Sequence, residues 1–156
     1  MQKPSVLVAD DNEATCTLIK ALLQSEFAVD VVTDGAEAVE TLKARQYSAI
    51  LLDLRMPVMD GYGVLEFLER NRPDLLRRVL VVTGALSPAE IERVRPYPIR
   101  GVIAKPFEVD ALLAAVRQCV EQDGDGDDDT TAGRAPILAS GMILLLADLL
   151  RRSVSS

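Results

Sequence analysis

Asp53 ends the apolar run Ser48-Ala49-Ile50-Leu51-Leu52, and the turn-rich stretch Arg55-Met56-Pro57-Val58-Met59-Asp60-Gly61 follows at once. Three further runs stop on residues with chemistry to offer. Asp10 and Asp11 follow Ser5-Val6-Leu7-Val8-Ala9, Thr83 follows residues 78–82, and Lys105 follows residues 99–104. Side chains at the carboxyl ends of buried strands stand where open α/β sheets place their chemistry. Carboxylates crowded into one cleft repel, so a divalent cation is their natural counter-charge. Oxygen ligands beside a phosphate favour Mg²⁺ over zinc. Three acids, a hydroxyl and a lysine at strand ends are thus the parts of a Mg²⁺-assisted phosphoryl-accepting site.

The elements needed to position them are legible as a period. Apolar runs at 5–9, 27–32, 48–52, 78–82 and 99–104 read as strands, the second for its β-branched residues. Helical spacing fills the gaps at 12–25, 34–44, 62–70 and 108–120. Asp34 reads as an N-cap. Ser87-Pro88-Ala89-Glu90 supplies a Ser cap, Pro at the first helical position and Glu at the reciprocal capping-box position. Such alternation calls for a parallel sheet covered by helices on both faces, with right-handed crossovers. In a doubly wound five-stranded sheet the first and third strands are neighbours at the switch point, which brings Asp10, Asp11 and Asp53 together. Lys105 follows the fifth strand, expected on the other side of the first.

Composition bounds the function. The chain has 156 residues, enough for one domain and an appendage, and 49% of them are hydrophobic. A net charge of −7 argues against nucleic acid as a direct partner. There is no histidine, which removes Ser-His-Asp and zinc-protease chemistry. The start, Met1-Gln2-Lys3-Pro4, has no signal-peptide pattern, and a cytoplasmic location is expected by default. Cys16 and Cys119 lack metal-ligand spacing and read as reduced core thiols.

The composition changes near residue 123. Residues 1–122 form the main domain and residues 123–135 an acidic, self-repelling linker. As a calcium loop starting at Asp123 it fails, with Asp128 where Gly is needed and Arg134 where Glu is needed. Residues 136–152 read as an apolar C-terminal helix, too short to span a membrane and interrupted by Asp148. It is expected to dock on the main domain or on a second copy, as in a homodimer, with a shallow membrane contact as the lesser alternative.

Four motifs in register carry a resemblance: Val8-Ala9-Asp10-Asp11-Asn12, Leu51-Leu52-Asp53-Leu54-Arg55-Met56-Pro57-Val58-Met59-Asp60-Gly61, Val82-Thr83-Gly84 and Ala104-Lys105-Pro106-Phe107. The chain resembles the receiver domain of two-component response regulators over residues 1–122. The resemblance implies a flavodoxin-like fold with strand order 2-1-3-4-5 and five helices. It implies Asp53 as phosphoacceptor, and Mg²⁺ held by Asp10, Asp11, Asp53 and the backbone carbonyl of Arg55, with Asp10 acting through water. Thr83 and Lys105 would bind the phosphoryl oxygens, beside a cis Lys105-Pro106 bond. The donor would be a phosphohistidine on a sensor histidine kinase or phosphotransfer protein, and output would pass to a downstream protein.

The sequence also departs from that family. Val102 replaces the usual aromatic three residues before Lys105, and Pro96 and Pro98 should end the fourth helix early. Tyr97 is either a packing residue or a substitute for that aromatic. Arg55 is either a surface arginine or a group that screens the phosphoryl oxygens. Cys16 and Cys119, on the first and fifth helices, are expected on one face and near each other. Two alternatives to a phosphoacceptor switch follow. One is a degenerate receiver kept as an interaction module, motivated by Val102 and the prolines. The other is an aspartyl-phosphate phosphohydrolase, disfavoured because Arg55 stands where such enzymes carry a second acid. No turnover of a separate substrate is expected, only self-phosphorylation and self-dephosphorylation.

Overall fold

Residues pointing to opposite faces of the central strands are apolar in this chain, and that decides the architecture. In the computed structural model, which describes residues 2–84, 86–123 and 143–144, the strands are β1 (Ser5–Ala9), β2 (Ala28–Val32), β3 (Ala49–Leu52), β4 (Val79–Thr83) and β5 (Gly101–Ala104). They pair in parallel in the order β2-β1-β3-β4-β5. Leu7, Ala9, Ile50, Leu52, Val81 and Val102 face one core cluster, while Val6, Val8, Leu51, Leu80, Val82 and Ile103 face another. A strand buried on both faces must be covered on both.

The helices supply the cover. α1 (Glu13–Leu23) and α5 (Val109–Asp123) lie on the second cluster through Cys16, Ile19, Leu112 and Val116. α2 (Gly35–Ala44), α3 (Gly61–Asn71) and α4 (Pro88–Val94) lie on the first through Ala38, Leu42, Leu65, Leu68 and Ile91. Burying one Leu of this kind stabilises the fold by about 2 kcal/mol, and every residue of β3 and β4 is buried. The helix starts are fixed locally. Asn12, Asp34, Asp60 and Ser87 each accept a hydrogen bond from the backbone N–H three residues on.

Some expectations hold and others change. The stretch Pro73–Arg78 forms a short 3-10 helix, started by its proline, that was not apparent as an element. α4 stops at Val94, as the proline pair requires. β5 lies on the same side of β1 as β3, with β3 and β4 between them, and Lys105 Nζ still meets Asp10 Oδ2 at 2.6 Å. The apolar helix expected over 136–152 falls mainly outside the described residues. Its two described residues, Ile143–Leu144, form an antiparallel strand (β6) on β5, giving a sixth strand in place of helix there. A free β5 edge offers unpaired backbone groups, and an apolar segment satisfies them as strand better than as helix. The linker at 123–135 is described only at Asp123, the last residue of α5.

Cys16 and Cys119 are both buried thiols, but they are not close. Cys16 Sγ donates to the Asp10 carbonyl oxygen, at the carboxyl end of the sheet. Cys119 Sγ lies near the Ser48 and Arg78 carbonyl oxygens, at the amino ends of β3 and β4. The two thiols are thus about one strand length apart, roughly 15 Å. Burial, and next the charge of Asp10, push the Cys16 thiol up to about 11, so it stays protonated and inert.

Candidate functional site

The sheet ladder itself carries the acids to one another. The Asp10 N–H donates to Val32 O at 3.1 Å and the Asp53 N–H to Ala9 O at 3.0 Å, so both acids sit one step past the ends of adjacent strands. The Lys105 N–H donates to Thr83 O at 3.0 Å in the same way. Asp10, Asp53 and Thr83 are the buried polar residues among those described, and Asp11 beside them is exposed. One oxygen from each of Asp10, Asp11 and Asp53 lies within 4.8 Å of the others. Lys105 Nζ crosses the strand ends to Asp10 Oδ2 at 2.6 Å and Asp53 Oδ2 at 3.2 Å.

The backbone around Asp53 is tightly built. The Arg55 N–H donates to Asp53 Oδ1 at 3.3 Å. The Gly61 N–H donates to Leu54 O, and a Cβ on Gly61 would stand 2.4 Å from Asp53 O. Only glycine lets the first turn of α3 press on the backbone of the acid. Between them, Pro57 O accepts from the Met59 N–H at 2.7 Å, which puts Val58 at φ 69°, in a tight γ-turn that a β-branched residue rarely adopts. The Lys105-Pro106 bond is cis.

The electrostatics fit a cation and a phosphoryl group. Burial raises the Asp10 carboxyl above its usual range. Hydrogen bonds from Lys105 and the Asn12 N–H act against this, and the nearby Asp53 adds to it. Lys105 loses basicity by burial, but Asp10 and Asp53 together outweigh that and raise it, so it remains a cation. Three carboxylates against one ammonium leave the cleft with a charge of about −2, which one divalent ion balances. The all-oxygen donor set suits Mg²⁺. A cleft lined by Asp53, Arg55, Thr83 and Gly84 leaves room beside the acid, and a Cβ on Gly84 would meet nothing closer than Lys105 Cβ at 4.0 Å.

Four motifs and this geometry agree with the comparisons. The family model for the response regulator receiver domain matches residues 6–117. The chain belongs to the response regulator receiver family. It is similar to the transcriptional regulatory protein TctD of Salmonella typhimurium, at 36% identity over 113 residues, 72% of this chain and 50% of that protein. TcrA of Mycobacterium tuberculosis is 31% identical over 114 residues, 72% of this chain and 44% of that one. This receiver chain spans about half the length of the curated relatives it matches. Among solved structures, the receiver domain of sensor histidine kinase PA1611 from Pseudomonas aeruginosa is 27% identical with a TM-score of 0.69, covering 76% of this chain and 98% of that one. That structure has a magnesium ion coordinated in its active-site cleft. A CheY-like receiver from Methanospirillum hungatei shares the fold, with a TM-score of 0.74 at 21% identity over 80% of this chain and 99% of that one.

The receiver's expected residues Asp10, Asp11, Asp53, Thr83 and Lys105 all come to this one rim. Val102 is buried, 2% exposed, in the core under α4. Tyr97 is partly buried against the same core, and burial raises its phenol. One group escaped the sequence. Glu90 looked like a capping residue, yet its carboxylate takes Arg55 Nη2 at 2.7 Å and the Tyr62 hydroxyl, while the Arg93 guanidinium covers the Tyr62 ring at 3.6 Å. Nothing in the spacing of residues 55, 62, 90 and 93 announces such a cluster, because it spans three separate elements. Among the described residues no helix is long and apolar enough to cross a membrane.

Proposed function

We propose that this domain is a phosphoacceptor switch. Asp53 receives a phosphoryl group from a phosphohistidine on a sensor kinase or phosphotransfer protein, and a downstream protein reads the result. The observation that carries the reading is Lys105 Nζ held between Asp10 and Asp53, with Asp53 and Thr83 lining one cleft. A carboxylate oxygen of Asp53 attacks phosphorus; the bond from phosphorus to the donor nitrogen breaks, and that nitrogen keeps the electron pair. Lys105 and Thr83 then hold the phosphoryl oxygens, which needs Lys105 to release Asp10. Asp10, Asp11, Asp53 and the Arg55 backbone carbonyl would hold Mg²⁺, which when bound neutralises charge on the transferred group. Positioning and charge are the main demands of such a transfer, and these residues answer both.

The test uses the full chain with a small phosphodonor, with and without Mg²⁺, read by intact mass. A single Mg²⁺-dependent phosphate on the wild type, absent from Asp53→Asn, is expected. Either no adduct on a folded wild type or an equal adduct on Asp53→Asn overturns the proposal.

A further inference from the structure

Arg55 has two neighbours with opposite claims on it. Its side chain is 71% exposed and pairs with Glu90, which is 15% exposed. It also lines the cleft of Asp53 and Thr83, and on its other side the cleft that holds Tyr62, Glu90 and Arg93. Glu90 belongs to α4, a helix of seven residues that buries only Ile91 and Val94. A short helix with so few buried side chains is held substantially by its tethers. The Arg55 and Tyr62 contacts to Glu90 are two such tethers, and both reach from the segment that follows Asp53.

We propose that the Arg55 guanidinium is shared between Glu90 and the phosphoryl group on Asp53, so that phosphorylation draws it from α4 and loosens that helix. This deepens the phosphoacceptor reading and rests on it. A phosphoryl group brings close to two negative charges and three strong acceptor oxygens, against one charge on Glu90. Guanidinium matches that set with paired hydrogen bonds, so the new anion outcompetes the old partner. Arg55 needs to turn only its side chain, because its backbone N–H is already bonded to Asp53 Oδ1. Glu90 keeps the Tyr62 hydroxyl when Arg55 leaves, which limits the cost. Val102 does not serve this purpose, being sealed beneath α4 with no exposed position to swing into.

The experiment is a double-mutant cycle read by binding of beryllofluoride, a phosphoryl mimic, in Mg²⁺. Glu90→Gln, which frees Arg55, should tighten beryllofluoride about fivefold. Arg55→Gln should weaken it by about tenfold. Adding Glu90→Gln to Arg55→Gln should then change nothing, since the competition is gone. Hydrogen exchange supplies the second readout. Amides of α4 should exchange faster when wild type binds beryllofluoride, and should already be fast and unresponsive in Arg55→Gln. Independent, additive effects of the two substitutions, or an α4 that does not respond in wild type, would overturn the shared-arginine proposal while leaving Asp53 as acceptor. A folded wild type that binds no beryllofluoride overturns both.

Discussion

Gly61→Ala tests how closely α3 and the acid are coupled. The added Cβ would lie 2.4 Å from Asp53 O and 2.8 Å from Leu54 Cα. Both are backbone atoms and cannot rotate away. Restoring ordinary contact near 3.5 Å requires the two segments to part by about 1 Å. Overpacking of this kind costs about 1–3 kcal/mol, offset by up to about 1 kcal/mol for replacing Gly by Ala in a helix. The expected net destabilisation is about 1–2 kcal/mol by urea unfolding. A 1 Å misplacement of a reacting group costs about a hundredfold in rate, or about 2.7 kcal/mol of barrier. Phosphorylation by a small donor in saturating Mg²⁺, followed by intact mass, should therefore slow about a hundredfold. Gly63→Ala is the control. Its Cβ meets the Met59 side chain, which has free rotors to yield, so its rate should change less than threefold. A Gly61→Ala protein with wild-type rate and stability would refute the reasoning.

Lys105→Met leaves Asp10 and Asp53 buried beside each other without their cation. It should destabilise the domain by about 2–3 kcal/mol in urea without Mg²⁺, with a larger share recovered on adding Mg²⁺ than in wild type. The Tyr47 hydroxyl donates to Asp30 Oδ2 at 2.6 Å, and burial, with Asp30 second, pushes it up to about 12 from 10. A raised pKa in the folded state gives stability that is whole below pH 10 and is lost as pH climbs through 12. Unfolding free energy should fall by up to about 2 kcal/mol over that window, a fall that Tyr47→Phe removes. Val58→Gly should keep or raise stability by up to about 1 kcal/mol, although Val→Gly normally destabilises. Val58 is 84% exposed at φ 69°, so relief of left-handed strain exceeds the entropy added to the unfolded chain.

The sheet was legible because both faces of its strands are apolar and its turns carry their own punctuation. Asp34 and Ser87 cap as their spacing requires, and Pro96 and Pro98 end α4 where they should. The acids were legible because strand ends in such a sheet converge by topology alone. The Glu90 cluster was not, since it depends on where four side chains from three separate elements meet. The stretch at 143–144 was not either. Its all-round apolar pattern leaves helix and strand open, and only the open β5 edge decides that it pairs as strand. Cys16 and Cys119 were misjudged for a related reason: two helices can share a face while their residues sit at opposite ends of it.

The most direct measurement locates the modified residue chemically. Protein treated with a small phosphodonor and Mg²⁺ is reduced with borohydride, which converts an acyl phosphate to its alcohol, and the peptides are mapped. Homoserine at position 53, lost when Mg²⁺ is withheld, is the result this account predicts. Reduction at Asp10, Asp11 or Asp60 with Asp53 intact would contradict it.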